Sequence, residues 1–121
     1  MGVKMVEGLT EKLKGLSDET RLRILNLLYE QDLCVCDVMD ILQISQAKAS
    51  RHLIYLKNVG LLNDRKYIRW VYYSVARNVQ LKFIDTLIYD NLRGLEPYKS
   101  DLEKQKHWSK YRKQSCAYLE L

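Results

Sequence analysis

Proline occurs once in this 121-residue chain and glycine only five times. So few breakers exclude a loop-dominated or low-complexity architecture and favour a folded, helix-rich one. The three cysteines are too few for a disulfide scaffold. No basic-plus-apolar leader opens the sequence, so a cytoplasmic protein with reduced thiols is expected. No apolar run approaches the length of a bilayer span, which argues against a membrane partner. A glycine-rich phosphate loop and an H-E-x-x-H pair are both missing. The paired cysteines have C-x-C rather than C-x-x-C spacing and no βαβ context, so no enzyme is expected.

What the chain does have is charge, unevenly spread. Residues 1–42 carry five bases and eight acids, a balance of −3. Residues 43–77 carry Lys48, Arg51, Lys57, Arg65, Lys66, Arg69 and Arg77 against Asp64 alone, a balance of +6. Residues 78–121 return to +2, with eight bases and six acids. A basic middle on an acidic shoulder is the electrostatic footprint of a DNA-reading face.

The apolar pattern gives the order of elements. Residues 4–14 form a weakly amphipathic helix. "SDETRLRILNLLYE" then offers Ser17 as N-cap, with Asp18 and Glu19 in a first turn whose dipole favours acids. Leu22, Ile24, Leu25, Leu27 and Leu28 follow at helical spacing. A short helix runs from about Cys36 to Leu42. After "QIS", Ser45 caps a helix that buries Ala49, Leu53 and Leu56 and stops at Gly60, a left-handed C-cap position. Beyond Gly60, "LLNDRKYIRWVYYSV" turns β-branched and aromatic, predicting strands at about 61–66 and 69–75 with a basic tip. Helical pattern resumes at 78, breaks at Gly94 and Pro97, and returns over about 98–114 with Leu102, Trp108 and Tyr111.

A short helix, a tight turn, a longer helix with a polar front and a basic hairpin make a winged helix-turn-helix. The expected fold is mainly α with a small β-hairpin, one domain over 1–121. Its core is about 16–76, flanked by helices at about 4–15 and 78–114. The flanking stripes (Leu9, Leu13 and Leu16; Leu102 and Trp108) are more than one small domain can bury, so dimerisation through these terminal helices is expected.

"LSDETRLRILNLL", "DLCVCDV", "SQAKASRHLIYLKNVGLL" and "DRKYIRWVYYSV" together resemble the ArsR/SmtB family of metal-sensing winged-helix repressors, particularly its arsenic-responsive branch. The match runs over about residues 16–76. The resemblance implies a homodimer that sits on operator DNA and lets go when a thiophilic metal or metalloid binds. Three departures stand out: Glu19 where many relatives have proline, "KYI" where many have a wing glycine, and Met39 where arsenic-responsive relatives often carry a third cysteine.

A recognition helix meets the major groove with its N-terminal residues. Ser45, Gln46, Lys48 and Ser50 occupy that front, Gln46 suited to adenine and Lys48 to guanine or phosphate. Arg51 and Tyr55 suit backbone contacts one turn on. Arg65, Lys66 and Arg69 on the wing suit flanking phosphates or the minor groove. His52 is expected to pack or bond locally. A dimer would present two such helices to an inverted-repeat operator.

Cys34 and Cys36 would point to opposite sides of a regular helix but share a face if the segment is extended. At a helix entrance the dipole favours thiolate, so two activated thiols are expected there if the first turn is extended or unwound. Soft thiolates suit As(III) or Sb(III), for which three ligands suffice, with Cd(II) or Pb(II) as the alternative inducers. Zinc prefers four ligands and is poorly served by three cysteines and two scattered histidines. The family's other site, an Asp/His set after the wing, is not visible: Asp85 is present without a histidine. With Met39 a weak ligand, Cys116 is the remaining candidate for a third thiol, from either protomer. A redox switch built on these cysteines is the competing reading.

Overall fold

The computed structural model describes residues 2–111; of residues 2–7 the backbone alone is described. Six helices and three strands follow in order: α1 (Gly2–Gly15), α2 (Glu19–Leu28), β1 (Leu33–Cys34), α3 (Val35–Leu42), α4 (Gln46–Asn58), β2 (Leu62–Tyr67), β3 (Trp70–Val75), α5 (Lys82–Thr86) and α6 (Tyr98–Lys110). A 3-10 turn (Val79–Leu81) precedes α5 and a π-helical turn (Leu87–Leu92) follows it. The helix expected from residue 78 is thus one path in three windings. The helix expected over 98–114 ends at Lys110, and its last three expected residues lie outside the described ones.

The cap of α2 falls one residue later than expected. Asp18, not Ser17, adopts the extended N-cap conformation, and its carboxylate accepts the Arg21 N–H at 3.0 Å. Ser17 faces backwards, donating its hydroxyl to the Lys14 carbonyl at 2.8 Å. The cap of α4 is the one expected: Ser45 is extended and its Oγ accepts the Lys48 N–H at 3.1 Å. That helix closes in a Schellman motif. Gly60 has φ +87°, its N–H donates to Lys57, and the Leu61 N–H donates to Leu56.

The core lies where α2, α3, α4 and the sheet meet. Ile24, Leu27, Leu33, Val38, Ala49, Leu53 and Leu56 are all fully buried there. α3 and α4 cross through the left-handed Gln43 (φ +55°), giving the helix-turn-helix. The hairpin after it is a wing, but the sheet has three strands in the order β1-β3-β2, all antiparallel. The third strand was not expected; Leu33 and Cys34 pair with Tyr73 and Tyr72. At the wing tip Tyr67 pairs with Trp70, so Ile68 and Arg69 form a two-residue turn with Ile68 at φ +60°. This is the glycine-favouring position, filled here by a β-branched side chain.

α6 is fastened along α2. Arg23 grips the fully buried Asp101 with two hydrogen bonds of 2.8 and 2.9 Å. The Asn26 amide donates to the Tyr98 carbonyl, Gln105 donates to the Leu27 carbonyl at 3.0 Å, and the Ser109 hydroxyl donates to Gln31 at 3.3 Å. The two helices therefore run side by side, and α6 ends near the segment that leads into β1. Trp108 packs against the core, whereas Leu9 and Leu13 of α1 stay 48% exposed. No described helix is long and apolar enough to cross a membrane.

Candidate nucleic-acid interface and thiol site

The front of α4 is a solvent-facing polar surface built by the helix period. Ala49, Leu53 and Leu56 turn inward, which leaves Ser45, Gln46, Lys48 and Arg51 exposed and Ser50 and Tyr55 half-buried. The Ser45 cap fixes where the first turn begins, and hence where Gln46 and Lys48 point. His52 goes the other way: it is buried, and that burial pushes its pKa below the ordinary value. Lys57 pairs with Asp64 at 3.0 Å, tying α4 to the base of the wing and occupying the basic segment's one acid.

On the wing, Arg65, Lys66 and Arg69 are all exposed. Arg65 reaches Asp32 at 3.5 Å and lies 5.4 Å over the Tyr72 ring; Arg69 lies 5.9 Å over Trp70. Stacking of this kind holds a guanidinium in place while leaving its edge open. Sequence reasoning missed Arg21, whose guanidinium sits 4.3 Å over the Tyr55 ring. No linear pattern links a residue at the start of α2 to one in the middle of α4.

Cys34 and Cys36 straddle a change in backbone conformation. Cys34 is the extended N-cap (φ −95°, ψ 175°), while Cys36 lies in the first turn of α3. The first turn is therefore helical, not unwound, and both thiols reach one ion only if α3 starts later. Cys34 is a free thiol, 2% exposed, and its backbone N–H donates to the Asp37 carboxylate at 3.0 Å. Burial, with the Asp37 charge behind it, pushes this thiol up to about 11. The expected activation of Cys34 by the helix end is overridden, because desolvation of a thiolate outweighs a half-charge at the terminus. Cys36 is half-buried and disulfide-bonded.

Cys116 lies outside the described residues. Among the described residues no three His, Cys, Asp or Glu side chains gather into a metal-holding group. Asp85 is taken up elsewhere, accepting the Tyr29 hydroxyl at 2.6 Å and pairing with Arg77 at 3.7 Å. Between α3 and α6 runs a cleft of about 710 Å³ that brings Tyr111, at the end of α6, to the same wall as Asp40, one turn after Cys36.

The family model described as "Bacterial regulatory protein, arsR family" matches residues 18–64. The arsenical resistance operon repressor of Escherichia coli (strain K12) is 51% identical over 67 residues, 54% of this chain and 57% of that protein. A cadmium resistance transcriptional regulatory protein, CadC homolog, of Staphylococcus aureus is 51% identical over 63 residues, 51% of this chain and 52% of that protein. The chain thus spans somewhat over half the length of these relatives. The solved structure of HlyU from Vibrio cholerae N16961 superposes with a TM-score of 0.65 at 30% identity, covering 74% of this chain and 96% of HlyU.

Proposed function

The chain belongs to the ArsR family of bacterial regulatory proteins, and on that footing we propose that it is a homodimeric transcriptional repressor that binds an inverted-repeat operator. The observation that carries this is the shared exposure of Ser45, Gln46, Lys48 and Arg51 on the α4 front, with Ser50 and Tyr55 half-buried beside them, and of the wing cations (Arg65, Lys66, Arg69) around one helix-turn-helix. α4 enters the major groove and the wing holds flanking phosphates. Leu9 and Leu13, one turn apart and half exposed, give α1 an apolar face for a second copy. Selection from randomised duplexes, followed by anisotropy titration at several salt concentrations, tests the reading. Affinity should fall steeply with salt, and Lys48→Ala should cost about 1–3 kcal/mol on the selected site. Salt-independent binding, or none, would contradict it.

Release of DNA is assigned to the thiols, with As(III) or Sb(III) as inducer. Cys34 and Cys36 supply two soft donors where β1 becomes α3, and a soft three-coordinate acceptor suits them better than zinc does. The Cys36 disulfide must first be opened by a thiol reductant, which supplies two electrons and is itself oxidised. Each free thiol then surrenders its proton to a departing hydroxide, which leaves as water, so the neutral Cys34 is a competent starting state. Drawing both sulfurs to one ion requires the first turn of α3 to open. A third ligand is assigned to Cys116. The five residues from Tyr111 to Cys116 span at most about 17 Å, and Ser109 already stands beside Gln31, three residues before Cys34. That route favours Cys116 of the same protomer. X-ray absorption on the arsenite complex, in buffer free of small thiols, should count three sulfurs, falling to two in Cys116→Ser.

A second reading has its own observation. Cys36 is disulfide-bonded, as a thiol switch would require, two thiols giving two protons and two electrons to an oxidant such as peroxide. The relative named for cadmium resistance likewise supports Cd(II) as an alternative inducer, and Pb(II) stands beside it only as another soft acceptor for thiolates.

A further inference from the structure

Arg21 makes three contacts that converge on one joint. Its Nε donates to the Gly15 carbonyl at 2.9 Å and its Nη2 to the Lys14 carbonyl at 3.0 Å. These are the last carbonyls of α1, the negative end of that helix, where a guanidinium fork fits both in charge and in shape. The flat face of the same group lies 4.3 Å over the Tyr55 ring on α4. A separate contact closes the joint from the other side. Gly15 is buried, and a Cβ there would come within 3.0 Å of Leu61 and 3.3 Å of Val59, just beyond the end of α4. α1 is therefore held against α4 at two points, one polar and one steric.

We propose that Arg21 is a positioning residue that fixes the angle between α1 and α4, and through it the half-site spacing that the operator must have. The inference rests on the dimeric, operator-binding reading above, with α1 in the dimer interface. If α1 meets its copy and α4 meets DNA, the α1–α4 angle sets how far apart the two recognition helices stand. One base pair more or less at the operator centre moves a half-site by about 3.4 Å and turns it by about 35°. A rigid joint refuses that change and a loose one follows it. Arg21 itself touches no base in this account; it acts through Tyr55 and the end of α1.

The test uses the full chain and an inverted repeat that the wild-type protein selects from randomised DNA. The same duplex is then made with one base pair added or removed at its centre, and Kd is measured on all three. Wild type should prefer the selected spacing by about tenfold or more. Arg21→Met keeps an unbranched stem of similar reach but loses both donors. It should elute as the same dimer while its preference falls to about twofold, the residue of backbone attraction. Arg21→Lys should recover part of the preference, since one donor remains. If Arg21→Met fails to fold, Gly15→Ala serves instead: crowding Leu61, it should flatten the preference or move it to a different spacing. A folded, dimeric Arg21→Met, or in its place Gly15→Ala, that keeps the full wild-type preference overturns the proposal. Failure of the underlying reading is seen earlier and separately, as wild type that shows no spacing preference or binds no DNA.

Discussion

Cys34 sits directly opposite Tyr72 across the antiparallel β1–β3 ladder. The residue that caps α3 is therefore also a rung of the wing sheet, and Arg65 of the wing lies over that same Tyr72. On the proposed function, a ligand that moved Cys34 would disturb both DNA-facing parts at once. It would pull on the strand that carries the wing and on the first helix of the helix-turn-helix. The connection gives the proposed release a physical route that needs no distant relay.

The buried thiol makes alkaline pH informative. A thiol raised from 9.0 to about 11 in the folded chain holds its proton more tightly there than in the unfolded chain. Its contribution is complete below pH 9.0 and is lost as pH rises through 11. Denaturant titrations should find wild type losing up to roughly 3 kcal/mol more than Cys34→Ser across that window. The comparison with serine matters because buried tyrosines, Tyr29 and Tyr73 among them, are also pushed up. Parallel pH profiles for the two proteins would show that Cys34 is not buried in solution.

At the wing tip, Ile68 holds φ +60° without the freedom of glycine. Such a conformation costs about 1–3 kcal/mol in a β-branched residue. Ile68→Gly should therefore raise stability by about 1 kcal/mol in thermal or denaturant unfolding. A drop in stability would place the tip in another turn type.

Asp101 is fully buried and answered by Arg23 with two hydrogen bonds. Asp101→Ala leaves that guanidinium against α2 without its partner and should cost about 3–5 kcal/mol. Hydrogen exchange should show α6 losing protection first. Equal loss across α4 would mean that α6 is not a separately fastened layer.

The Asp32–Arg65 pair is exposed and 3.5 Å long, so it adds little to stability. On the proposed function, Asp32 competes with phosphate for the wing cation. Asp32→Asn should leave unfolding unchanged while raising DNA affinity at low salt, and Arg65→Glu should lower affinity for all sequences alike. A change in sequence preference in either variant would mean that Arg65 reads bases.

Much of this arrangement was legible before the structure, and what was hidden has a common cause. Ser45, Gly60 and the Ala49, Leu53, Leu56 stripe speak through local rules, so α4 and its exposed front follow from neighbours in sequence. Asp18 and Ser17 are both good caps, and only the backbone angles of the folded chain choose between them. β1 is two residues long and has no signal of its own; it exists because β3 offers a free edge. The grip of Arg23 on Asp101 and the stacking of Arg21 on Tyr55 join distant segments, which no periodicity encodes. The state of Cys34 belongs to the same class, since a helix terminus is local but burial is a property of the whole fold.

The most direct test of the account is operator release by arsenite in fully reduced protein, followed by anisotropy on a selected duplex. Wild type should lose the DNA as arsenite rises, while Cys34→Ser and Cys36→Ser should dimerise, bind the same duplex and stay bound. Release by either serine variant at the wild-type arsenite concentration would contradict the assignment of the switch to the β1–α3 junction.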